Sequence, residues 1–475
     1  VENLQSEGLY YIDLLDAGDL ASDPINTEDI WVSFDFSGRD LSGNIILTRN
    51  ADDAVLAGSF SKYTHYVPFY RYCGSENSGL MEGTWLAMRR TLTLGDTYFR
   101  NNKDRLGITS PEVTLRYGSK IRLYMPSSVV GNGVEGTGGY EGQEGYSLSS
   151  KRPFIVTMEI RDTVSNPLER EGTDVDDFCE LNGGLQIYSK GDDDTPATEV
   201  PEDPEDPEHP YSETSKRWVS ACDSIPQVYV NVRYNPAEPG DQLSFPAPYH
   251  VGYEPYVSEA SVRDIDMQIA EALKKRFHGE GDDYEKYEGV KTLEADSVTL
   301  EGTAKIWYIG RFLDGFIFDT NIDEVKKIIY GEVAQTGTAL EYTPSSGGMI
   351  QAFYYAIPNL KFGQWAELIT TSTNAYGSSG KSGSSSSSTS GSSGYSSSYL
   401  DYLNYLNYAN SYYGSGGYYG GYYGGYYGSY YGGYYDSMYG SGYDSSSTGT
   451  TVTTITTEIP SFTPLIFQLY IEPED

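Results

Sequence analysis

Ala304-Lys305-Ile306-Trp307-Tyr308-Ile309-Gly310-Arg311-Phe312-Leu313-Asp314-Gly315-Phe316-Ile317-Phe318-Asp319-Thr320 is the stretch that decides the fold. Apolar and other residues alternate through Ile306, Tyr308 and Phe312, the period of a half-buried strand. Leu313-Asp314-Gly315 then supplies a tight turn. A second short strand follows and ends in Phe318-Asp319.

This stretch resembles the V-x-Y-x-G-x-L-x-D-G-x-x-F-D-S signature of FKBP-type peptidyl-prolyl isomerases, and further parts of the family pattern follow in order. Gly348-Met349-Ile350-Gln351-Ala352-Phe353 is similar to the V-I-x-G-W start of the family's single helix. Gly363-Gln364-Trp365-Ala366-Glu367-Leu368 resembles the strand after it, and Asn374-Ala375-Tyr376-Gly377 the Y-A-Y-G loop. Ile459-Pro460 with Pro464-Leu465-Ile466-Phe467-Gln468-Leu469 resembles the closing strand.

A weaker copy of the same pattern occupies residues 1–165. Glu7-Gly8-Leu9-Tyr10-Tyr11-Ile12 resembles the family's opening strand, and Ser78-Gly79-Leu80-Met81-Glu82-Gly83 the helix start. Residues 29–38, 121–128 and 152–160 resemble further strands, and a polar insertion runs roughly from Tyr98 to Glu112. Ile46-Leu47 stands in place of Phe-Asp, Thr84 in place of the pocket-floor Trp, and Val130 in place of the loop Tyr. This copy is expected to keep the fold without the pocket chemistry. The resemblance thus implies an α+β class: two FKBP-like domains, each an antiparallel sheet wrapped on one short helix, joined by an irregular linker module.

A chain of 475 residues suits about three domains. The expected division is a degenerate domain at 1–165, a linker module at 166–290 and an isomerase domain at 291–475 with an insertion at 378–458. The net charge of -36 argues against nucleic acid as a partner and against docking on an anionic membrane by charge alone. Cys73, Cys179 and Cys222 are far apart without metal-ligand spacing, and the sequence does not choose a disulfide pair. Four unclustered histidines argue against a His-based metal site or triad, and no cofactor is expected. No apolar run reaches the roughly 18 residues of a transmembrane helix. Val1 is not a Met, which suggests a processed form, with a signal peptide and a lipid-bearing Cys expected upstream.

Between the copies, residues 191–210 are acidic and Pro-rich, expected as an extended linker. Residues 227–234 alternate as a strand, and a helix is predicted from Ser258 to Arg276, with Ile265, Ile269, Ala270 and Leu273 at helical spacing. After Gly377 the chain turns Ser/Gly-rich, then Tyr-rich from Tyr395 to Tyr443. Such a tract buries no aliphatic surface and is expected to be disordered alone. Tyrosine nevertheless offers rigid contact area with a hydrogen-bonding tip, as an adhesive arm needs.

Peptide-bond rotation meets a barrier of roughly 18–20 kcal/mol, although X–Pro isomers lie within about 1 kcal/mol. Speeding it takes a dry aromatic pocket and a few donors, with no nucleophile or metal. The family resemblance assigns Tyr308, Phe318, Phe353 and Phe467 as aromatic walls, with Met349 and Ile350 beside them. It further assigns the Ile350 N–H and Tyr376 as donors and Asp319 as the carbonyl-facing wall. Phe353 replaces the usual Trp floor, and Leu340 stands where the family often has an aromatic. The expected function is isomerisation of proline-containing clients exported to the envelope of a Gram-negative bacterium, in the periplasm or at the outer membrane. The alternatives are an accessory subunit of an outer-membrane or secretion complex, docking through the Tyr-rich arm, and glycan adhesion through that arm. The setting rests on resemblance to tandem FKBP-like envelope lipoproteins.

Overall fold

The computed structural model describes residues 11–58, 60, 62–76, 80–129, 153–186, 217–222, 224–232, 234, 236, 246–278, 295–331, 333, 336–381, 384–389 and 451–473. The fold is mixed, with antiparallel sheets and several helices. The first sheet is assembled from β1 (Tyr11–Ala17), β2 (Ile30–Arg39), β3 (Ile45–Thr48), β4 (Phe69–Cys73), β7 (Ser119–Met125) and β8 (Phe154–Val164). Between them lie α1 (Ala51–Ala57), α2 (Glu82–Arg89), α3 (Asp96–Leu106) and the small pair β5 (Leu92–Thr93) and β6 (Glu112–Val113). The strand order is β1-β7-β8-β2-β3, with β4 also on β2. Along β7 every second residue, Ser119, Ile121, Leu123 and Met125, is buried, as one covered face requires. α2 lays Leu86, Ala87 and Met88 into that core. The polar stretch after Gly95 folds as α3, closed by Gly107 at φ 65°.

The second sheet follows α4 (Pro167–Leu181) and contains β9 (Leu185–Gln186), β10 (Trp218–Ser220), β11 (Val228–Asn231), β12 (Ala304–Arg311), β13 (Ile317–Thr320), β14 (Leu340–Tyr342), β15 (Trp365–Thr370) and β18 (Leu465–Ile471). α5 (Glu259–His278), α6 (Asp323–Tyr330) and α7 (Gln351–Ala356) lie along the same stretch of chain. The order is β13-β12-β18-β15-β11-β10-β9, with β14 on β12; β9 and β10 run parallel, the other pairs antiparallel. Every residue of β15 and β18 is buried. One side packs with Ala352 and Phe353 of α7. On the other, Trp307, Trp365 and Tyr470 meet Ile269 and Leu273 of α5 and Val325 of α6, while Phe178 of α4 meets Trp218 and Ile369. A strand covered twice loses its alternation, which is why residues 465–471 read as an almost continuous apolar run.

Residues 166–290, expected as a connection, also build this sheet: Val228 to Asn231 pair with Thr370 to Glu367. The predicted helix is α5, with the Ser258 hydroxyl accepting from the Ser261 N–H at 3.3 Å. The acidic Pro-rich segment lies outside the described residues.

The two sheets share a plan. β1, β7, β8, β2, β3 and β4 pair as β11, β15, β18, β12, β13 and β14 do. Each hairpin is irregular at the same place, after Gly38 and after Gly310. The predicted turn is present, with the Gly315 N–H donating to the Phe312 carbonyl at 3.0 Å and Gly315 at φ 90°.

That turn is where the two parts of the chain meet. His65 Nε2 lies 2.7 Å from Asp314 Oδ2, and its ring sits 4.6 Å from both Phe312 and Phe316. Nearby, Arg49 pairs with Glu458 at 2.6 Å, and Trp31 meets Phe462 edge-on at 4.7 Å. The insertion begins and ends as a two-stranded antiparallel ribbon, β16 (Ser384–Thr389) with β17 (Thr451–Thr456). Residues 390–450, which hold the Tyr-rich tract, lie outside the described residues. Cys73, Cys179 and Cys222 are free thiols. No described helix is long and apolar enough to cross a membrane.

A buried polar row runs across the outer face of the second sheet. Glu367 accepts from the Asn231 and Gln468 amides, at 3.0 Å each, and Gln468 accepts from Arg311 Nε at 2.9 Å. Burial outweighs these bonds and pushes the Glu367 carboxyl from 4.5 up to about 7. Between those two values the folded state holds a proton that the unfolded state has lost, so stability falls as pH rises through that window. Denaturation at pH 5 and pH 8 is expected to differ by about 3 kcal/mol from this group, in favour of pH 5. Glu367→Gln should remove most of that difference; an unchanged slope in the variant would locate the effect elsewhere.

Candidate functional site

The site is built from β12 outward. Tyr308 and Gly310 lie on the β12 face toward α7 and pair with Leu469 and Phe467 of β18. Gly310 is needed there: a Cβ would come within 2.6 Å of the Phe318 ring, which lies over it. Phe318 meets Phe467 edge-on at 5.7 Å, and Phe467 meets Phe353 edge-on at 5.1 Å. Tyr308 leans on Phe467 at 6.3 Å, and Phe353 on Tyr342 at 6.0 Å. Edge-to-face rings at these separations pack favourably and hold a fixed, apolar wall. Phe353 is fully buried beneath it.

Polar groups stand at the rim. The Tyr308 hydroxyl donates to Asp319 Oδ2 at 2.9 Å, and the Asp319 side chain is exposed. Burial, then the Asp319 charge and hydrogen bond, push the Tyr308 phenol well above its ordinary value, so it remains a donor. Gly347 and Gly348, at φ 70° and 91°, deliver the chain to Ile350, which starts α7 in an extended conformation. The Ile350 N–H has no protein acceptor among the described residues. Met349 is exposed beside it. Tyr376 is half-buried on the same cluster, with Lys381 Nζ 5.4 Å from its ring.

Of the eight residues singled out from the sequence, Tyr308, Phe318, Ile350, Phe353, Tyr376 and Phe467 share one apolar cluster. Asp319 joins them through Tyr308, and Met349 stands at the edge. Leu340 packs against the same cluster, half-buried. Three neighbours escaped the sequence reading. Phe312 packs on Phe318 at 5.0 Å, and its place beside the turn was a visible signal. Tyr330 stacks on Tyr63 at 4.0 Å and feels the Asp319 charge. Nothing local marks Tyr63, since it comes from the first part of the chain.

In the first sheet, the pairing puts Phe36 where β12 has Tyr308 and Val156 where β18 has Phe467. Leu47 takes the register of Asp319. Met81 precedes α2 as Ile350 precedes α7, which puts Thr84 level with Phe353; its buried hydroxyl has no partner among the described residues. No hydroxyl–carboxylate pair like Tyr308–Asp319 can form from Phe36 and Leu47. Val130 lies outside the described residues.

No family model matches the chain, and no curated protein does. Solved structures similar to it include FKBP domains and a peptidyl-prolyl cis-trans isomerase. The three FKBP domains of wheat FKBP73 are 9% identical with a TM-score of 0.21, over 100% of this chain and 97% of that one. A peptidyl-prolyl cis-trans isomerase of Pseudomonas syringae is 14% identical with a TM-score of 0.17, over 38% of this chain and 66% of its own. FkpA of Escherichia coli is 11% identical with a TM-score of 0.19, over 34% and 55%. Similarity at this level leaves the function to be read from the chemistry of the site.

Proposed function

We propose that the second sheet carries a peptidyl-prolyl cis-trans isomerase site of the FKBP type, and that the first sheet is a related fold without one. The observation that supports this best is the Ile350 N–H, without an acceptor among the described residues, at the rim of a fixed aromatic cluster that also holds Tyr308 and its partner Asp319. A proline ring entering there would pack on Tyr308, Phe318 and Phe467, while a flanking carbonyl accepts from Ile350. A twisted amide has lost resonance and is less polar than the planar one, so surroundings that exclude water favour the twisted state over the ground state. Tyr308 and Asp319 hold each other in place, which keeps the carbonyl-facing wall preorganised.

The setting we propose is the cell envelope of a Gram-negative bacterium, with exported, proline-containing polypeptides as clients. A second reading is favoured by one specific feature. The Tyr376 loop runs through the turn Gly377–Ser379 into Lys381, which bridges to Ile459 at the other end of the insertion. The insertion is therefore rooted at the rim of the site, where an arm could dock the protein in an outer-membrane or secretion assembly. The test that separates the readings is the rate of X–Pro exchange in a short peptide. Acceleration by the folded protein supports the enzyme; an uncatalysed rate leaves the accessory subunit.

A further inference from the structure

The loop that carries Tyr376 is held from a helix far away in sequence. Glu171, on α4, is 2% exposed. Its Oε1 accepts from both the Ser372 N–H at 2.9 Å and the Ser372 hydroxyl at 3.0 Å. Beside it, Gly172 leaves room for the Gln227 amide, which a Cβ would meet at 2.2 Å. The Gln227 carbonyl in turn accepts from the Thr371 N–H at 3.3 Å. The first two N–H groups after β15 thus end on α4 and its neighbour. From there the loop is hydrogen-bonded to itself: Asn374 to the Thr371 carbonyl at 3.2 Å, and Ala375 to the Ser372 carbonyl at 2.9 Å. Tyr376 follows at once.

We infer that Glu171 is a proton-sensitive positioning residue: it pins the Ser372–Tyr376 loop and so sets where Tyr376 stands at the rim of the site. The inference rests on the reading of Tyr376 as a site residue, but the pin itself does not. Glu171 Oε2 is buried and has no partner among the described residues, so neither protonation state is fully satisfied. Burial pushes the carboxyl from 4.5 up to about 7, against the pull of the two Ser372 donors. The charged group whose field reaches it is Asp174, on its own helix, which raises it further; from the loop, Ser372 faces it with neutral donors. The ionised form accepts the stronger hydrogen bonds. Burial outweighs those bonds, however: once the loop opens to water the carboxyl returns toward its ordinary value, so the pinned state is the more protonated one and the loop is held more tightly below pH 7 than above it.

Amide hydrogen exchange over residues 371–376, corrected for the intrinsic pH dependence, tests this in the full chain. Wild-type protection at Ser372 should fall between pH 6 and pH 8. Glu171→Gln, neutral at all pH, should stay at the low-pH level. Glu171→Ala should exchange at Ser372 about tenfold faster at pH 6 while core amides of β7 are unchanged. Equal protection in all three proteins, or a pH step that survives in Glu171→Gln, overturns the pin. This readout judges the pin even if no peptide is ever isomerised. If peptide isomerisation does occur, its pH profile should carry the same step in wild type and lose it in Glu171→Gln.

Discussion

Phe353→Ala is expected to destabilise the protein by about 3–5 kcal/mol and to abolish any activity at the site. The Phe353 ring is fully buried, edge-on to Phe467 and to Tyr342. Removing it opens a cavity that two fixed strands and a six-residue helix cannot close. Phe353→Leu separates fold from function. It keeps most of the apolar volume and should cost less than about 1.5 kcal/mol, yet it takes away the aromatic floor. Denaturant titration should show the midpoint falling with an unchanged slope for both variants. A Phe353→Leu protein that is stable and also fully active would show that the ring is core packing alone.

Asp314→Ala is expected to cost a similar amount, about 3–5 kcal/mol, because it strands a buried partner. Asp314 Oδ2 takes His65 at 2.7 Å and the Tyr253 hydroxyl at 3.1 Å, and Oδ1 takes the Phe316 N–H at 3.1 Å. Burial alone would raise this carboxyl; the His65 charge and these bonds hold it below its ordinary value instead. Its stabilisation is present above the unfolded carboxylate value and is lost as pH falls through the folded one. That is the opposite sense to Glu367, so stability should peak in mildly acidic solution. The effect is also a statement about architecture, since His65 belongs to the first part of the chain. His65→Ala and Asp314→Ala should therefore be strongly non-additive in a double-mutant cycle. Additive costs would mean that the two side chains do not act as a pair.

The hairpin from Ala304 to Thr320 was legible because two local signals agree there, alternation and a Leu-Asp-Gly turn. The gathering of Tyr308, Phe318, Ile350, Phe353, Tyr376 and Phe467 was legible only through resemblance, since a lone strand aromatic says nothing of its neighbours. What stayed hidden is what depends on long separations in sequence. His65 and Asp314 lie 249 residues apart, and Glu171 and Ser372 lie 201 apart. Trp307, Trp365 and Tyr470 do show that the outer face is apolar, but not that α5 and α6 cover it. The segment after Gly95 looked like an insertion because α3 buries only Leu106 fully, and a nearly all-polar helix carries little periodic signal. β11 was legible as a strand but was assigned to a linker module, because a short strand takes its place in a sheet from the partner that it finds.

If the rim of Tyr308, Asp319 and Ile350 over an aromatic floor turns a proline-containing peptide, the full chain must speed its cis–trans exchange. Exchange between the cis and trans resonances of a short X–Pro peptide, measured with and without the full chain, tests it most directly. Exchange without catalyst takes tens of seconds or longer at room temperature, so even weak turnover stands out. Acceleration by the wild-type protein is expected, with its loss in Tyr308→Ala and in Phe353→Leu while both remain folded. A folded wild-type protein that leaves the peptide at its uncatalysed rate would contradict it.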